Sequence, residues 1–287
     1  MMNCTFVEDD QCDALEACYN HTGANLGKSC MLNNLGLSGT ISRETFKDWS
    51  ANVHKLIMSE NEIEDVEDGT FQNLPNLMVI NMITNWLTEV RPGMFTGLSK
   101  LILIGLCHNR ITTIRSDAFN GLNLNGLTLS FNAVYQKGAY SPLHDSSSSK
   151  QLPLNLEDRA FANASKSSDF VLNLLGNVVP SIPSYAFKDT VSDKLLLNDM
   201  GIERIEDDAF NGISFKRLDL RGNNIQRMTV ESFRGSIPDL SELECKDFEN
   251  WEVTLAAGTL NERTLNCTSA FIDWKVRNFV LYKFSLH

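Results

Sequence analysis

The chain has 287 residues, 43% of them hydrophobic, and carries a formal charge of −11. Such a length and apolar content support one elongated domain or two compact ones. The acidic balance excludes a phosphate-backbone partner, which clustered Lys and Arg would have to meet, and no apolar run approaches the roughly 18 residues of a membrane span.

The first 30 residues hold Cys4, Cys12, Cys18 and Cys30; Cys245 and Cys267 lie near the end, and Cys107 stands alone. None of these spacings is a zinc-type CxxC, so no metal site is expected. Clusters at both ends suit disulfide-stapled caps of a secreted protein. Connectivity among the first four cysteines stays open, with Cys245–Cys267 as the simplest closing pair. Sequons at Asn3, Asn20, Asn163 and Asn266 are candidate glycosylation sites. The opening MMN shows no basic start, apolar run or cleavage site, so any signal peptide is expected to lie outside this sequence. The tail FIDWKVRNFVLYKFSLH is broken by Asp273, Lys275, Arg277 and Lys283.

Between the cysteine clusters the chain repeats itself. The segments are LIMSENEI from Leu56, INMITNWL from Ile80, IGLCHNRI from Ile104, LTLSFNAV from Leu127, LNLLGNVV from Leu172, LLLNDMGI from Leu195 and LDLRGNNI from Leu218. Their steps are 24, 24, 23, 45, 23 and 23 residues. A phenylalanine follows in a fixed register at Phe46, Phe71, Phe95, Phe119, Phe161, Phe187, Phe210 and Phe233. The asparagines at 61, 85, 109, 132, 177 and 223 are expected to be buried and bonded to backbone of adjacent turns, and Met200 breaks that ladder. The 45-residue step hides either a degenerate repeat or an excursion of about 20 residues. Its HDSSSSK stretch favours an irregular segment near 135–155.

This LxLxxNxL pattern with a downstream xxAF or xxTF segment resembles the extracellular leucine-rich repeat family over about residues 30–245. The resemblance implies an α/β solenoid, a curved horseshoe with a parallel sheet on its concave face and short helices or turns on its convex side. Cys30 then sits where an inward leucine of the first strand belongs, as in the family's N-terminal caps. The expected division is a cysteine-rich cap at 1–29, a solenoid at 30–244 and a C-terminal cap at 245–287. The N-terminal spacing lacks the family's tight CxC, and the C-terminal cap has two cysteines where four are common.

Strand alternation then assigns the outward residues. Val79, Ile83, Leu103, Val171 and Leu175 are expected to be exposed on the concave face, with Ile57, Cys107 and Leu196 in the same columns and Phe131 at the rim. Toward the C-terminal end the face turns charged, with Arg217, Asp219 and Arg221 beside Lys194, Asp199 and Lys216. A contiguous apolar area of this kind marks a binding surface for a protein or an apolar ligand.

Catalysis is not expected. Adjacent Cys107 and His108 diverge on or just past a strand, so they make no nucleophile and base, and HExxH, GxSxG and phosphate-loop patterns are missing from the sequence. Cys107 is expected as a free thiol, with an intermolecular disulfide as the alternative. No cofactor is implied. The reading is therefore a secreted, non-catalytic binding protein, or alternatively a receptor-ectodomain fragment. The run NLEDRAFANAS…VPSIPSYAFKDT…GIERIEDDAFNGISFKRLDLRGNNI is also similar to arthropod secreted proteins related to the leucine-rich subunit of a shrimp luciferase. That likeness implies a non-catalytic subunit of a secreted oxygenase complex.

Overall fold

The structure, a computed structural model, describes residues 28–49, 51–132, 152–220, 222–228 and 230–235, together with the backbones of Glu252–Thr254 and Thr264–Asn266, which pair antiparallel. Seven repeats of two apolar residues flanking one outward residue fold as stacked coils. Each contributes a strand to one parallel sheet, and a further strand at the start makes eight. The strands are Lys28–Met31, Val53–Ile57, Val79–Asn81, Leu103–Gly105, Gly126–Thr128, Val171–Asn173, Val191–Leu196 and Ser214–Asp219, each hydrogen-bonded to the next in chain order. Leu56, Ile80, Ile104, Leu127, Leu172, Leu195 and Leu218 align across them and point into one continuous core with Met58, Met82, Leu106, Leu129, Leu174, Leu197 and Leu220.

The long step is a single coil carrying an excursion. Leu127 pairs directly with Leu172, so no strand intervenes in the sheet. Residues 133–151 lie outside the described set. On both sides of them the coils close as they do elsewhere: the Phe119 and Phe161 rings stack at 5.8 Å, and Asn132 N donates to Asn177 Oδ1 at 2.9 Å.

Past the corners lie further short parallel pairings, in three separate small sheets, which the repeat alone does not announce. Ser38–Ile41 pairs with Glu62–Val66, Asn155–Leu156 and Glu89–Val90 flank Thr113–Ile114, and Ser181–Ile182 pairs with Arg204–Ile205. The corner is made by a residue in the left-handed region just before each ladder asparagine, Glu60, Thr84, His108, Phe131, Gly176 and Gly222, and by Asp199 just before Met200.

The asparagines hold these corners together. Asn85 Nδ2 donates to Met58 O at 2.9 Å, Asn109 Nδ2 to Met82 O at 2.9 Å and Asn132 Nδ2 to Leu106 O at 2.9 Å, each in the coil before. Their Oδ1 atoms accept from Ile63 N, Leu87 N and Ile111 N. Asn61, Asn177 and Asn223 do the same work, Asn223 being only half-buried. Where Met200 stands, Val179 N bonds the Met200 carbonyl at 2.8 Å instead, so no backbone donor is stranded.

The returns differ from expectation. Short helices were allowed for, yet among the described residues helix is confined to one 3₁₀ turn, Val230–Phe233. Elsewhere the return is a chain of tight turns, as where Thr70 N bonds Glu67 O and Leu74 N bonds Phe71 O. Left-handed residues such as Gly69 and Gly93 recur in these stretches, which are too short to offset helix nucleation. The phenylalanines lie here as a spine of near-parallel rings. Phe46, Phe71, Phe95, Phe119, Phe161, Phe187 and Phe210 are spaced 5.6 to 6.4 Å between neighbouring centroids. All are buried, so each ring covers the apolar face of the next.

The expected caps fall mostly outside the described residues. Cys30 is the exception, and it corrects one expectation: it is a free thiol, half-buried against the core as an inward side chain of the first strand. Packing accounts for the cysteine there without a bridge.

Candidate functional site

The outward residues of the eight-stranded sheet form a surface of their own. Val79 and Leu103, paired across adjacent strands, make an apolar cluster with Met78, Ile83 and Ile102 that is separate from the solenoid core. Of the residues read as an apolar patch from the sequence, Val79, Ile83 and Leu103 fall in this cluster.

Its exposure is not as expected. Val79 and Leu103 are each only 4% exposed, Ile57 7% and Cys107 0%. Lys55, Asn81, Thr128, Ser130 and Asn173 on the same face are buried too. Ile83, Val171, Leu175 and Leu196 are half-buried, as is Phe131. Alternation places a side chain on a face but says nothing about what lies over that face, which is why the exposure was misjudged. The side chains of Arg217, Asp219 and Arg221 lie outside the described residues, as do those of Lys194 and Lys216.

Cys107 and His108 go to different neighbours. The Cys107 sulfur sits 3.3 Å from Ser130 Oγ in the next coil. His108, turned at φ 51°, is exposed and stacks its ring on Phe131 at 5.1 Å with planes 6° apart. Phe131 in turn lies over Gly176, where an added Cβ would fall 2.4 Å from its ring.

Two polar groups on this face were missed as candidates. Thr128 Oγ1 and Asn173 Nδ2 are buried and have no hydrogen-bond partner among the described residues. They face each other in register on adjacent strands. Asn173 is held with its Oδ1 accepting from Leu175 N at 2.9 Å, which leaves its amide donors to point outward. Neither residue is apolar, titratable or part of the asparagine ladder, so no pattern in the sequence singled them out.

Charge is organised elsewhere, along the short pairings past the corners. Arg91 meets Asp65 at 2.7 Å and Asp68 at 3.3 Å, Arg115 bridges Glu89 and Glu157, and Arg159 meets Asp117 at 2.7 Å. Hydrogen bonds from Ser116 N and then from the Arg115 guanidinium hold the Glu157 carboxyl below the usual glutamate range. The Arg110 guanidinium lies 4.0 Å over the Trp86 ring at the neighbouring corner. No group of His, Cys, Asp and Glu suited to a metal ion occurs among the described residues. Of the sequons, Asn163 donates Nδ2 to Asn120 Oδ1 at 2.9 Å, while Asn3 and Asn20 lie outside the described residues.

Two family models match the repeats. The family described as leucine rich repeat matches residues 51–101 and 84–134, and the BspA type leucine rich repeat region matches residues 154–255. Among solved structures, the crystal structure of the leucine-rich repeat domain of APL1B is similar at 18% identity and a TM-score of 0.40, covering 84% of this chain. The chain spans 65% of that domain's length. Curated protein sequences give no match. No helix among the described residues is long and apolar enough to cross a membrane. With its stacked strands, asparagine ladder and two matching repeat profiles, the chain belongs to the leucine-rich repeat proteins.

Proposed function

We propose that the protein is a secreted, non-catalytic binding protein that engages a protein or apolar ligand through the outward, concave face of its eight-stranded sheet. The observation that carries this reading is the apolar cluster of Val79, Leu103, Met78, Ile83 and Ile102, which contributes nothing to the solenoid core. A stack that needs only its inward residues gains little stability from outward ones, so apolar side chains on that face are best explained by something that packs on them. Ile83, Val171, Leu175 and Leu196 are the half-buried residues within reach of a partner, with Phe131 at the rim. By the sequence expectation, Arg217, Asp219 and Arg221 belong to the proposed surface as well.

Secretion rests on the grouping of six cysteines at the two ends, which fits an oxidising compartment. Extracellular leucine-rich repeats occur both as free proteins and as receptor ectodomains, and either setting suits this face. The alternative of a subunit in a luciferase-like oxygenase complex rests on repeat residues that stacking itself dictates, and no observation on the outward face favours it.

The test is paired substitution of Ile83→Asp and Leu175→Asp, two positions outside the core. Partners that co-purify with the protein from its native secretion, and the apolar dye anilinonaphthalene sulfonate, are measured on both forms. Loss of binding with unchanged circular dichroism supports the reading. Unchanged binding removes this face from it.

A further inference from the structure

Asparagine is among the thermolabile residues, and it is most exposed to attack by its own backbone where glycine follows, because no Cβ hinders the approach of the next nitrogen. The chain has such steps at Asn120–Gly121, Asn125–Gly126 and Asn211–Gly212. In a folded chain the glycine nitrogen can attack only if it is not tied down, since a bonded N–H must first give up its acceptor.

Two of the three steps are tied. Gly126 is buried, and its N–H donates to Ile102 O at 3.1 Å beside the sheet. Gly121 N donates to Asn163 O at 3.2 Å, and Asn163 Nδ2 donates to Asn120 Oδ1 at 2.9 Å. Nucleophile and target carbonyl are thus both held by one residue of the next coil, although Asn120 itself is exposed.

The third step lacks that clasp. Gly212 N has no hydrogen bond among the described residues. The next coil places Gly235 where Asn163 stands in the earlier pair, and a Cβ added at Gly235 would be 3.2 Å from Asn211 Nδ2. A glycine there has no amide with which to hold Asn211. Asn211 and Gly212 are only half-buried, so water reaches both. The Asn211 amide instead donates Nδ2 to Asp208 Oδ1 at 3.1 Å, within its own turn, which leaves its carbonyl carbon unguarded by the neighbouring coil.

From this contrast we propose that Asn211 is a site of spontaneous deamidation, selected over the other two Asn–Gly steps by the fold. Gly212 N attacks Asn211 Cγ and loses its proton to solvent, the Cγ–Nδ2 bond breaks, and ammonia leaves a five-membered succinimide. One water then opens the ring at either carbonyl, giving aspartate or isoaspartate, with no change of oxidation state. Either product turns the donor that faced Asp208 into a second carboxylate, beside the ion pair that Asp208 makes with Arg234 at 3.1 Å. The isoaspartate form also adds a carbon to the backbone of a return whose Asp208 and Phe210 N–H groups bond Glu231 O and Ser232 O of the following coil. The site lies on a return and not on the outward face, so it stands apart from the binding role.

The experiment incubates the intact wild-type protein in mildly alkaline buffer, with and without urea, and follows the three Asn–Gly peptides by mass spectrometry. Isoaspartate is assigned by electron-transfer fragmentation. In the folded protein, conversion at Asn211 should run several-fold faster than at Asn120 and Asn125, with isoaspartate and aspartate both formed. In urea the three rates should converge, because the local sequence is the same and the clasp at Asn163 is lost. Equal rates at Asn120 and Asn211 in the folded protein overturn the proposal, and so does an Asn211 that converts only in urea.

Discussion

His108 and Phe131 stack face to face across neighbouring coils, 5.1 Å apart, from corner positions that both adopt a left-handed backbone. The next corner is Gly176, at φ 71°, and Phe131 occupies the space where its side chain would be. The row is therefore graded, with two rings laid toward a residue that has none.

Gly176→Ala should cost about 2–3 kcal/mol, combining left-handed strain with the clash against Phe131. In a Phe131→Ala background only the backbone part remains, and the cost should fall to about 1 kcal/mol. Urea titrations of the four proteins measure this as a double-mutant cycle. Equal costs in both backgrounds would show that the ring is not the obstacle.

Asn109→Leu should destabilise by about 2–3 kcal/mol, because it strands the Leu87 N–H in the interior. Met200→Leu should change stability by less than about 1.5 kcal/mol, since the corresponding Val179 N–H already bonds a carbonyl. The comparison asks whether the ladder matters as a set of bonds or as a set of volumes. Similar losses at both sites would favour volume.

Phe119→Ala removes a fully buried ring from between Phe95 and Phe161 and should cost about 3–5 kcal/mol. Because coils are stabilised chiefly by their neighbours, the break should also reduce cooperativity. Calorimetry should show a broadened or split transition, and a single sharp transition would contradict the nearest-neighbour picture.

Glu157→Gln should lower stability slightly at neutral pH. The folded-state pKa of Glu157 is depressed, chiefly by the Ser116 N–H and then by Arg115, so its contribution is present above the unfolded pKa. It is lost as pH falls through the depressed folded value. The gap in melting temperature between the two proteins should therefore close in acid, below the ordinary glutamate range. The effect stays small because the pair is solvent-screened. A gap that widens on acidification would reverse the assignment.

The coil framework was legible because burial fixes it at every turn. Leu56, Asn61 and Phe71 recur at set spacing since a neighbour above and below must receive them. The short pairings past the corners were not, because Glu62–Val66 and Glu89–Val90 differ in length and polarity and only their inward residues, such as Ile63 and Val90, carry a pattern. The returns were misjudged in part: Gly69 and Gly93 mark turns, but the family likeness allowed helices as well. The outward face was legible only in composition. Alternation put Val79 and Leu103 there, while their burial depends on contacts that no local spacing encodes. Thr128 and Asn173 became candidates only once the register set them side by side.

The excursion after Asn132 has a practical side. The coils before and after it are already closed against one another through Phe119, Phe161, Asn132 and Asn177, so chain length at this one corner is decoupled from the architecture. Closing a longer loop costs only about 0.6 kcal/mol per doubling of its length. The site is thus a natural splice point, where a reporter or an epitope could be carried without disturbing the pitch of the stack.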